Sequence, residues 1–199
     1  RADRTFPELP KADKRFDVAI GENVMGEIRR FDIRTAPHMI VAGSTGSGKS
    51  VFLHSVIKQL MNIPNVELHL FDPKQVELAQ YEESVTEYKH TPKGIIAAIK
   101  AMNEEMEARY TAMKKKKVRS IVDMPGMPYK FLIIDEYADL SHHEAVGNEV
   151  QILAQKGRAA GIHIIIATQR ASTKIISGDI KINFPVKVVF RMAKEVDSR

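Results

Sequence analysis

Short apolar runs recur along the chain and predict the strands of a buried sheet. They cover residues 39–42, 66–71, 131–134, 162–167 and 186–190. Apolar residues are consecutive in these runs, whereas they would alternate with polar residues in strands with one solvent-exposed face. The spacing of the runs leaves room for helices between them. The pattern therefore predicts an α/β domain with a mainly parallel central sheet flanked by helices.

Two further elements follow from periodicity. Apolar side chains recur at three- and four-residue steps and predict one long amphipathic helix; they are Ile96, Ile99, Met102, Met106, Tyr110 and Met113. Residues 17–20 and 27–33 flank Gly21 and Gly26, which is typical of a small hairpin, and we expect it to cap the domain.

The start of the chain differs from the rest. Residues 1–15 are charged, contain Pro7 and Pro10 and lack periodicity, so we expect a flexible lead-in followed by one domain over residues 16–199. Because the chain begins with Arg1 and stops at Arg199, we also expect a piece of a longer product, truncated at its C-terminal end.

Composition narrows the class of protein. The 199 residues are 44% hydrophobic and include no cysteine, which excludes disulfides, thiolate metal sites and a cysteine nucleophile. No signal peptide or membrane-length apolar run is visible, so we expect a cytoplasmic protein. The formal net charge of +5 fits a polyanionic partner, but it fits simple solubility equally well.

The most informative segment is a glycine-rich loop between the first apolar run and a helix-like stretch. Glycines there allow backbone N–H groups to surround phosphate oxygens at a helix N-terminus. Lys49 would reach the β- and γ-phosphates and Ser50 would offer its hydroxyl to Mg²⁺, so the loop predicts binding of ATP and Mg²⁺ rather than a chance glycine turn. Its residues are Gly43, Ser44, Thr45, Gly46, Ser47, Gly48, Lys49 and Ser50.

An acidic pair follows the apolar run 131–134. At a strand's carboxyl end, Asp135 would help to organise Mg²⁺, and Glu136 could polarise an attacking water. The alternative is a solvated acidic turn, which the upstream loop disfavours. Together the loop and the pair favour a RecA-like ATPase over kinase- or GTPase-like relatives.

Two more residues are candidates for the hydrolytic machinery. Gln169 ends the run 162–167 and could sense the γ-phosphate, although a polar residue at a loop start would look the same. Arg158 precedes that run, and positive charge delivered to a transition-state phosphate accelerates transfer by roughly 10³–10⁵. Taken alone, Arg158 is better interpreted as a surface arginine.

Several blocks in order resemble the FtsK/SpoIIIE family, from about Gly21 to the last residue. The blocks are residues 37–38, the loop, 71–74, 104–110, 135–140, 158–163, 167–170 and 197–199. This resemblance implies a RecA-like motor domain that assembles into hexameric rings and uses ATP to pull double-stranded DNA through a channel. It implies that Arg158 reaches the ATP site of the neighbouring subunit, and it places Asp72 in a family motif, where a cap or turn role remains the alternative.

A ring motor would need basic loops that grip phosphates without reading bases. The candidate follows the long helix and consists of Lys114, Lys115, Lys116, Lys117 and Arg119; a solvated helix end is the alternative. His142 and His143 mark a second loop, and they lack the companion ligands of a zinc site. We expect His54, His69 and His163 to be core residues.

The leading hypothesis is therefore a DNA-translocating ATPase. A conjugative coupling protein or a helicase-like ATPase of a mobile element would use the same residues. A protein-export ATPase is a different class, in which the basic run would have no part. An inactive assembly module is disfavoured because Lys49, Ser50, Asp135 and Glu136 are all present.

Overall fold

The computed structural model describes residues 16–35, 37–170, 172 and 175–192. The lead-in expected over residues 1–15 and the family block at 197–199 lie outside these residues. A six-stranded, fully parallel sheet forms the centre, in the order β5-β4-β6-β7-β3-β8. Its strands are β3 (His38–Ala42), β4 (Val66–Phe71), β5 (Glu87–Lys89), β6 (Tyr129–Ile134), β7 (Ile162–Thr168) and β8 (Val186–Val189).

Because all pairings are parallel, the strands begin at one edge of the sheet, the amino edge, and end at the other, the carboxyl edge. The middle strands β3 and β7 are buried along their whole length, which explains their continuous apolar runs. All five strands expected from the sequence are confirmed. The sixth, β5, has only three residues and no apolar run, so hydrophobicity alone could not reveal it.

Helices cover both faces of the sheet. They are α1 (Lys49–Met61), α2 (Pro92–Lys116), α3 (Glu144–Lys156) and α4 (Gly178–Ile182). Alternate strand residues feed two cores, since Ile164 and Ile166 pack with α2 and α3 whereas Ile165 packs with α1. The expected α/β class is therefore confirmed.

The long helix α2 has clear ends. Thr91 caps its start by accepting a hydrogen bond from the Gly94 N–H, and Pro92 occupies the first turn, where its missing N–H is harmless. At the other end Lys117 adopts a left-handed conformation, with φ of 58°. Three lysines of the basic run therefore belong to the last helical turn, and the expectation of a basic loop after the helix is wrong for Lys114, Lys115 and Lys116.

The expected hairpin is confirmed as β1 (Asp17–Glu22) and β2 (Ile28–Asp32), which pair antiparallel. It docks on α1 through Gln59, whose side chain accepts from the Ala19 N–H at 2.8 Å and donates to the Ala19 carbonyl at 3.1 Å. Within the described part of the chain, no helix is both long and apolar enough to cross a bilayer.

Candidate nucleotide-binding site

The loop between β3 and α1 has a backbone that requires glycine. Gly48 precedes α1 with φ of 105°, a conformation that side chains disfavour. A Cβ on Gly43 would lie 2.5 Å from Ser47 Oγ and 2.8 Å from Phe190 Cβ. The glycines therefore let the chain turn tightly into the N-terminus of α1, where free N–H groups favour an anion.

The loop forms one wall of a cleft of about 380 Å³ at the carboxyl edge. The segments that follow β4, β6 and β7 supply the other walls, because parallel strands deliver their C-terminal loops to one place. The structure thus brings together the loop and three further candidates from the sequence, Asp135, Glu136 and Gln169. The lining residues are Ser44, Thr45, Gly46, Gly48, Lys49, Ser50, Val51, Lys74, Val76, Glu77, Asp135, Glu136 and Gln169.

Lys49 and Asp135 form a buried ion pair. The Lys49 Nζ donates to Asp135 Oδ1 at 2.8 Å, and only 6% and 5% of the two side chains are exposed. Burial raises the pKa of Asp135; the charge of Lys49 opposes this shift, and the carboxylates of Asp72 and Glu136 reinforce it. Asp135 thereby fixes the ammonium group at the mouth of the loop.

Glu136 has an unusual backbone conformation, and only one of its two carboxylate oxygens accepts hydrogen bonds from the described residues. Its φ of 48° is left-handed, which for a residue with a side chain is a strain found often at functional sites. One oxygen, Oε1, accepts from Thr168 Oγ1 at 3.0 Å and from the Gln169 N–H at 3.2 Å. The buried Oε2 has no hydrogen-bond partner among the described residues, and Lys74 Nζ lies 3.8 Å away.

Gln169 connects the tip of β7 to the phosphate loop. Its side-chain oxygen accepts from Thr45 Oγ1 at 3.2 Å. Because its own N–H binds Glu136, Gln169 touches both the loop and the acidic pair. The expected role of its amide as a sensor of the γ-phosphate stays a prediction, and these two contacts are consistent with it.

Asp72 has the role of a turn acid, the alternative weighed from sequence. It is fully buried, and its carboxylate accepts four backbone N–H groups at 2.9–3.1 Å, those of Lys74, Gln75, Val76 and Leu78. Asp72 therefore shapes the segment after β4 without facing the cleft.

That segment carries two residues that sequence reasoning missed, Lys74 and Glu77. Glu77 Oε1 accepts from Ser50 Oγ at 2.8 Å, and its Oε2 lies 3.5 Å from His54 Nε2. Lys74 Nζ lies between Glu136 and Asp139, 3.4 Å from the latter. A signal was available, since residues just after β4 must reach the same edge as the acidic pair.

The side-chain oxygens at the carboxyl edge suit Mg²⁺, which enzymes that use ATP bind mainly through water and the phosphates of the nucleotide. Among the described residues no group of three His, Asp or Glu side chains could hold a metal alone. Ser50, with Glu77 and Asp135 nearby, offers few protein oxygens, which suits an ion that keeps its waters and binds through substrate phosphates.

Of the three histidines expected in the core, two are buried and one is not. His69 and His163 are buried, and His163 stacks on Phe131 at 4.9 Å between ring centroids, as expected for core residues. The expectation is wrong for His54, which is partly exposed beside the cleft and contacts Tyr81 OH at 3.0 Å. Its apolar neighbours in sequence point inward, while His54 follows the cleft face of α1.

Arg158 does not join the cleft. It is exposed on the turn of residues 157–161 that precedes β7, which we call the Arg158 turn, at the amino edge. Since β7 spans seven residues, it separates Arg158 from Gln169 by roughly 20 Å. The basic run 114–117 and Arg119, all exposed, lie at the same edge, because the Ile121 N–H that follows them donates to the Ala159 carbonyl at 2.9 Å.

Comparisons with known proteins agree with this geometry. The sequence profile of the FtsK/SpoIIIE family matches residues 3–130. The chain is 36% identical to the DNA translocase FtsK of Corynebacterium glutamicum. The matched region covers 92% of this chain and 23% of that protein. It spans about a quarter of the length of the curated relatives it matches.

Solved structures share the fold. The conjugation coupling protein TcpA of pCW3, in monomer form with ATPγS, superposes with a TM-score of 0.82 at 25% identity over the whole of this chain and 59% of the solved TcpA chain. ATPases 2 and 3 of Thermomonospora curvata EccC, in complex with a signal sequence peptide, superpose with a TM-score of 0.80 at 18% identity over 94% of this chain and 38% of that solved EccC chain.

Proposed function

Because this chain belongs to the FtsK/SpoIIIE family, we propose that it is a motor domain that hydrolyses ATP and uses the energy to move double-stranded DNA. The observation that carries the proposal is the convergence of Lys49, Asp135 and Glu136 on one cleft beside the phosphate loop. A curated relative that is 36% identical to this chain is named a DNA translocase.

Each residue of the cleft has a defined task. Lys49, already fixed by Asp135, places its charge against the terminal phosphates. Thr168 and the Gln169 N–H hold Glu136 through Oε1, and Oε2, which has no hydrogen-bond partner among the described residues, is left as an acceptor. That oxygen orients a water for attack on the γ-phosphorus and draws on its proton as the new P–O bond forms and ADP leaves.

Ser50, with Glu77 and Asp135 beside it, is where Mg²⁺ would be held. When bound, the ion neutralises charge that develops on the phosphate oxygens. Glu77 would then accept hydrogen bonds from the surrounding waters, since its partner Ser50 Oγ would turn to the ion.

The position of Arg158 supports hydrolysis between subunits. An arginine side chain is far too short to bridge the roughly 20 Å that separates Arg158 from its own cleft. It can therefore reach a nucleotide only on a neighbouring copy whose cleft faces this amino edge. A closed, heterologous ring, which we propose to be a hexamer, gives every copy such a neighbour.

Double-stranded DNA is the proposed substrate of movement. Lys114, Lys115, Lys116, Lys117 and Arg119 present exposed positive charge at the end of α2. Such charge binds phosphates of any sequence, which suits a protein that must travel along DNA.

Two related functions use the same cleft. The likeness to TcpA favours a second candidate, a coupling ATPase that moves DNA during conjugation. The likeness to EccC shows the fold alone, so a polypeptide substrate has no specific support from these residues.

The test is ATP turnover of the chain with linear double-stranded DNA, with a basic or neutral peptide, and with neither. We expect DNA to stimulate turnover several-fold, independently of its sequence, and peptides to have no effect. Stimulation by peptide and not by DNA would contradict the proposal.

A further inference from the structure

Arg109, on α2, is a buried cation whose hydrogen bonds all lie at the amino edge. Only 4% of the residue is exposed. Its Nη1 donates to the carbonyls of Pro128 and Ala160, both at 2.8 Å. Its Nε and Nη2 donate to Glu105 Oε1 at 3.0 and 2.8 Å. A buried guanidinium is costly unless it is bonded in this way, so packing alone does not explain an arginine here.

One of those carbonyls belongs to the Arg158 turn. Within the turn the Gly161 N–H donates to the Arg158 carbonyl at 3.1 Å, and the Ile162 N–H donates to the Gly157 carbonyl at 3.0 Å. The Ala159 carbonyl accepts from the Ile121 N–H at 2.9 Å. With Arg109 on Ala160, the carbonyls of residues 157–160 are all engaged.

The neighbour of Arg109 holds the approach to the same turn. Tyr110 OH donates to the Lys156 carbonyl at 2.6 Å, at the last residue of α3. The two consecutive residues of α2 therefore hold the peptide backbone on both sides of Arg158. The Arg158 side chain itself stays exposed on this fixed backbone.

We propose that Arg109 and Tyr110 are positioning residues for Arg158. The inference rests on the proposed action of Arg158 at a neighbouring copy's nucleotide. A transition-state contact loses much of its effect when it shifts by about 1 Å, up to roughly 10²-fold in rate. Both residues act through backbone carbonyls of the Arg158 turn and its approach, and neither contacts ATP.

This role predicts a particular behaviour in mixed assemblies. Each hydrolysing interface combines Glu136 of one copy with Arg158 of the next. Arg109→Gln should leave its own cleft intact, bind ATP normally and turn it over roughly 10–10²-fold more slowly. Mixing it with Glu136→Gln should restore turnover, because the second variant supplies a well-placed Arg158. Mixing it with Arg158→Ala should restore nothing, since both variants lack a working arginine.

Two further variants make the test specific. Asn103→Ala is the matched control, because Asn103 is also buried on α2 but bonds Glu149 on α3, at 2.6 Å, and not the Arg158 turn. We expect it to lower thermal stability and leave turnover per subunit unchanged. Tyr110→Phe removes one hydrogen bond while keeping the ring, and should show a milder, roughly threefold to tenfold loss with the same mixing pattern.

The outcomes are distinct. If Arg109→Gln matches Asn103→Ala, or if Glu136→Gln fails to rescue it while rescuing Arg158→Ala, the positioning role is wrong. If Glu136→Gln does not rescue Arg158→Ala itself, the proposed action between copies fails first, and the positioning role fails with it. If Arg109→Gln does not fold, Tyr110→Phe decides, and its full activity overturns the proposal.

Discussion

The buried charges that line the cleft at the carboxyl edge are less completely partnered than the buried charges at the amino edge. At the carboxyl edge Lys49 has one carboxylate, and Glu136 Oε2 has no hydrogen bond among the described residues. At the amino edge Arg109 makes four hydrogen bonds, and Lys130 bridges Glu67 and Glu105 at 2.7 Å each. Buried charged groups with few partners indicate a site that binds a ligand. Buried charged groups whose hydrogen bonds are all made indicate a structural role.

Glu105 illustrates the satisfied edge. Burial alone would raise its pKa, but hydrogen bonds from Lys130 and Arg109 hold the pKa below its usual range. The carboxyl of Asp135 behaves in the opposite way, because there burial outweighs its single cation. The difference separates a structural ion network from a site where charges must rearrange when substrate binds.

We expect the largest effect from a substitution that removes the buried cation of the carboxyl edge. Lys49→Ala should weaken ATP binding by at least ~10²-fold and lower kcat/KM by roughly 10⁴-fold or more, because ground-state and transition-state phosphates both lose their partner. Titration calorimetry with a non-hydrolysable ATP analogue measures the affinity. Lys58→Ala, on the same helix but exposed, is the control. A folded Lys49→Ala protein with near-normal affinity would place the nucleotide elsewhere.

The next effect separates binding from chemistry at the same edge. Glu136→Gln should keep ATP bound and reduce kcat by roughly 10²–10⁴-fold, because an amide cannot draw on the proton of the attacking water. The amide oxygen can still accept from Thr168 and Gln169, so the local structure should persist. Single-turnover kinetics measure the step. Hydrolysis at the normal rate would exclude Glu136 from the mechanism.

The amino edge should be the acid-sensitive one. Burial lowers the pKa of His38 to about 3 and that of His163 to about 4, against 6.5 for the free side chain. Their contribution to stability is therefore complete above pH 6.5 and declines as the pH falls toward 4, because the unfolded chain takes up protons first.

We expect a loss of about 2 kcal/mol for each histidine between pH 7 and pH 5. Urea unfolding at the two pH values measures it. His163→Gln should flatten the dependence, whereas His142→Gln, on the surface, should not. An unchanged slope in His163→Gln would mean that this histidine is not held neutral.

The smallest expected effect concerns the exposed charges at the end of α2. Replacing Lys114, Lys115, Lys116 and Lys117 with alanine should weaken DNA-stimulated turnover equally for all sequences. The slope of log affinity against log salt should fall by up to ~3–4. Fluorescence anisotropy over a salt series measures it, with Lys93→Ala/Lys100→Ala on the same helix as the control. An unchanged slope would make the run a solvated helix end.

Periodicity and motifs predicted the sheet, the long helix and the phosphate loop because those features are local. The acidic pair was predictable for the same reason, since a carboxylate directly after a buried strand has few places to lie. The left-handed conformation of Glu136 and its bonds to β7 were not, because they depend on which strands are neighbours.

Contacts between distant segments account for the rest. Glu77 meets Ser50 only because four N–H groups fold the segment after β4 around Asp72. Arg109 meets the Ala160 carbonyl across 51 residues, and nothing in the spacing of α2 marks it from its helical neighbours. We expected the basic run in a loop because of its positive charges. Lysine also has a high helix propensity, and three of these lysines belong to α2.

The central claim is that a cleft at one edge is completed by Arg158 from the other edge of a neighbouring copy. The direct measurement is ATP turnover of Arg158→Ala mixed with Glu136→Gln at fixed total protein, above the assembly concentration, across mixing ratios. We expect each pure variant to be nearly inactive, intermediate mixtures to be active, and the gain to vanish on dilution. If no mixture exceeds the pure variants while subunit exchange is independently confirmed, Arg158 does not act between copies.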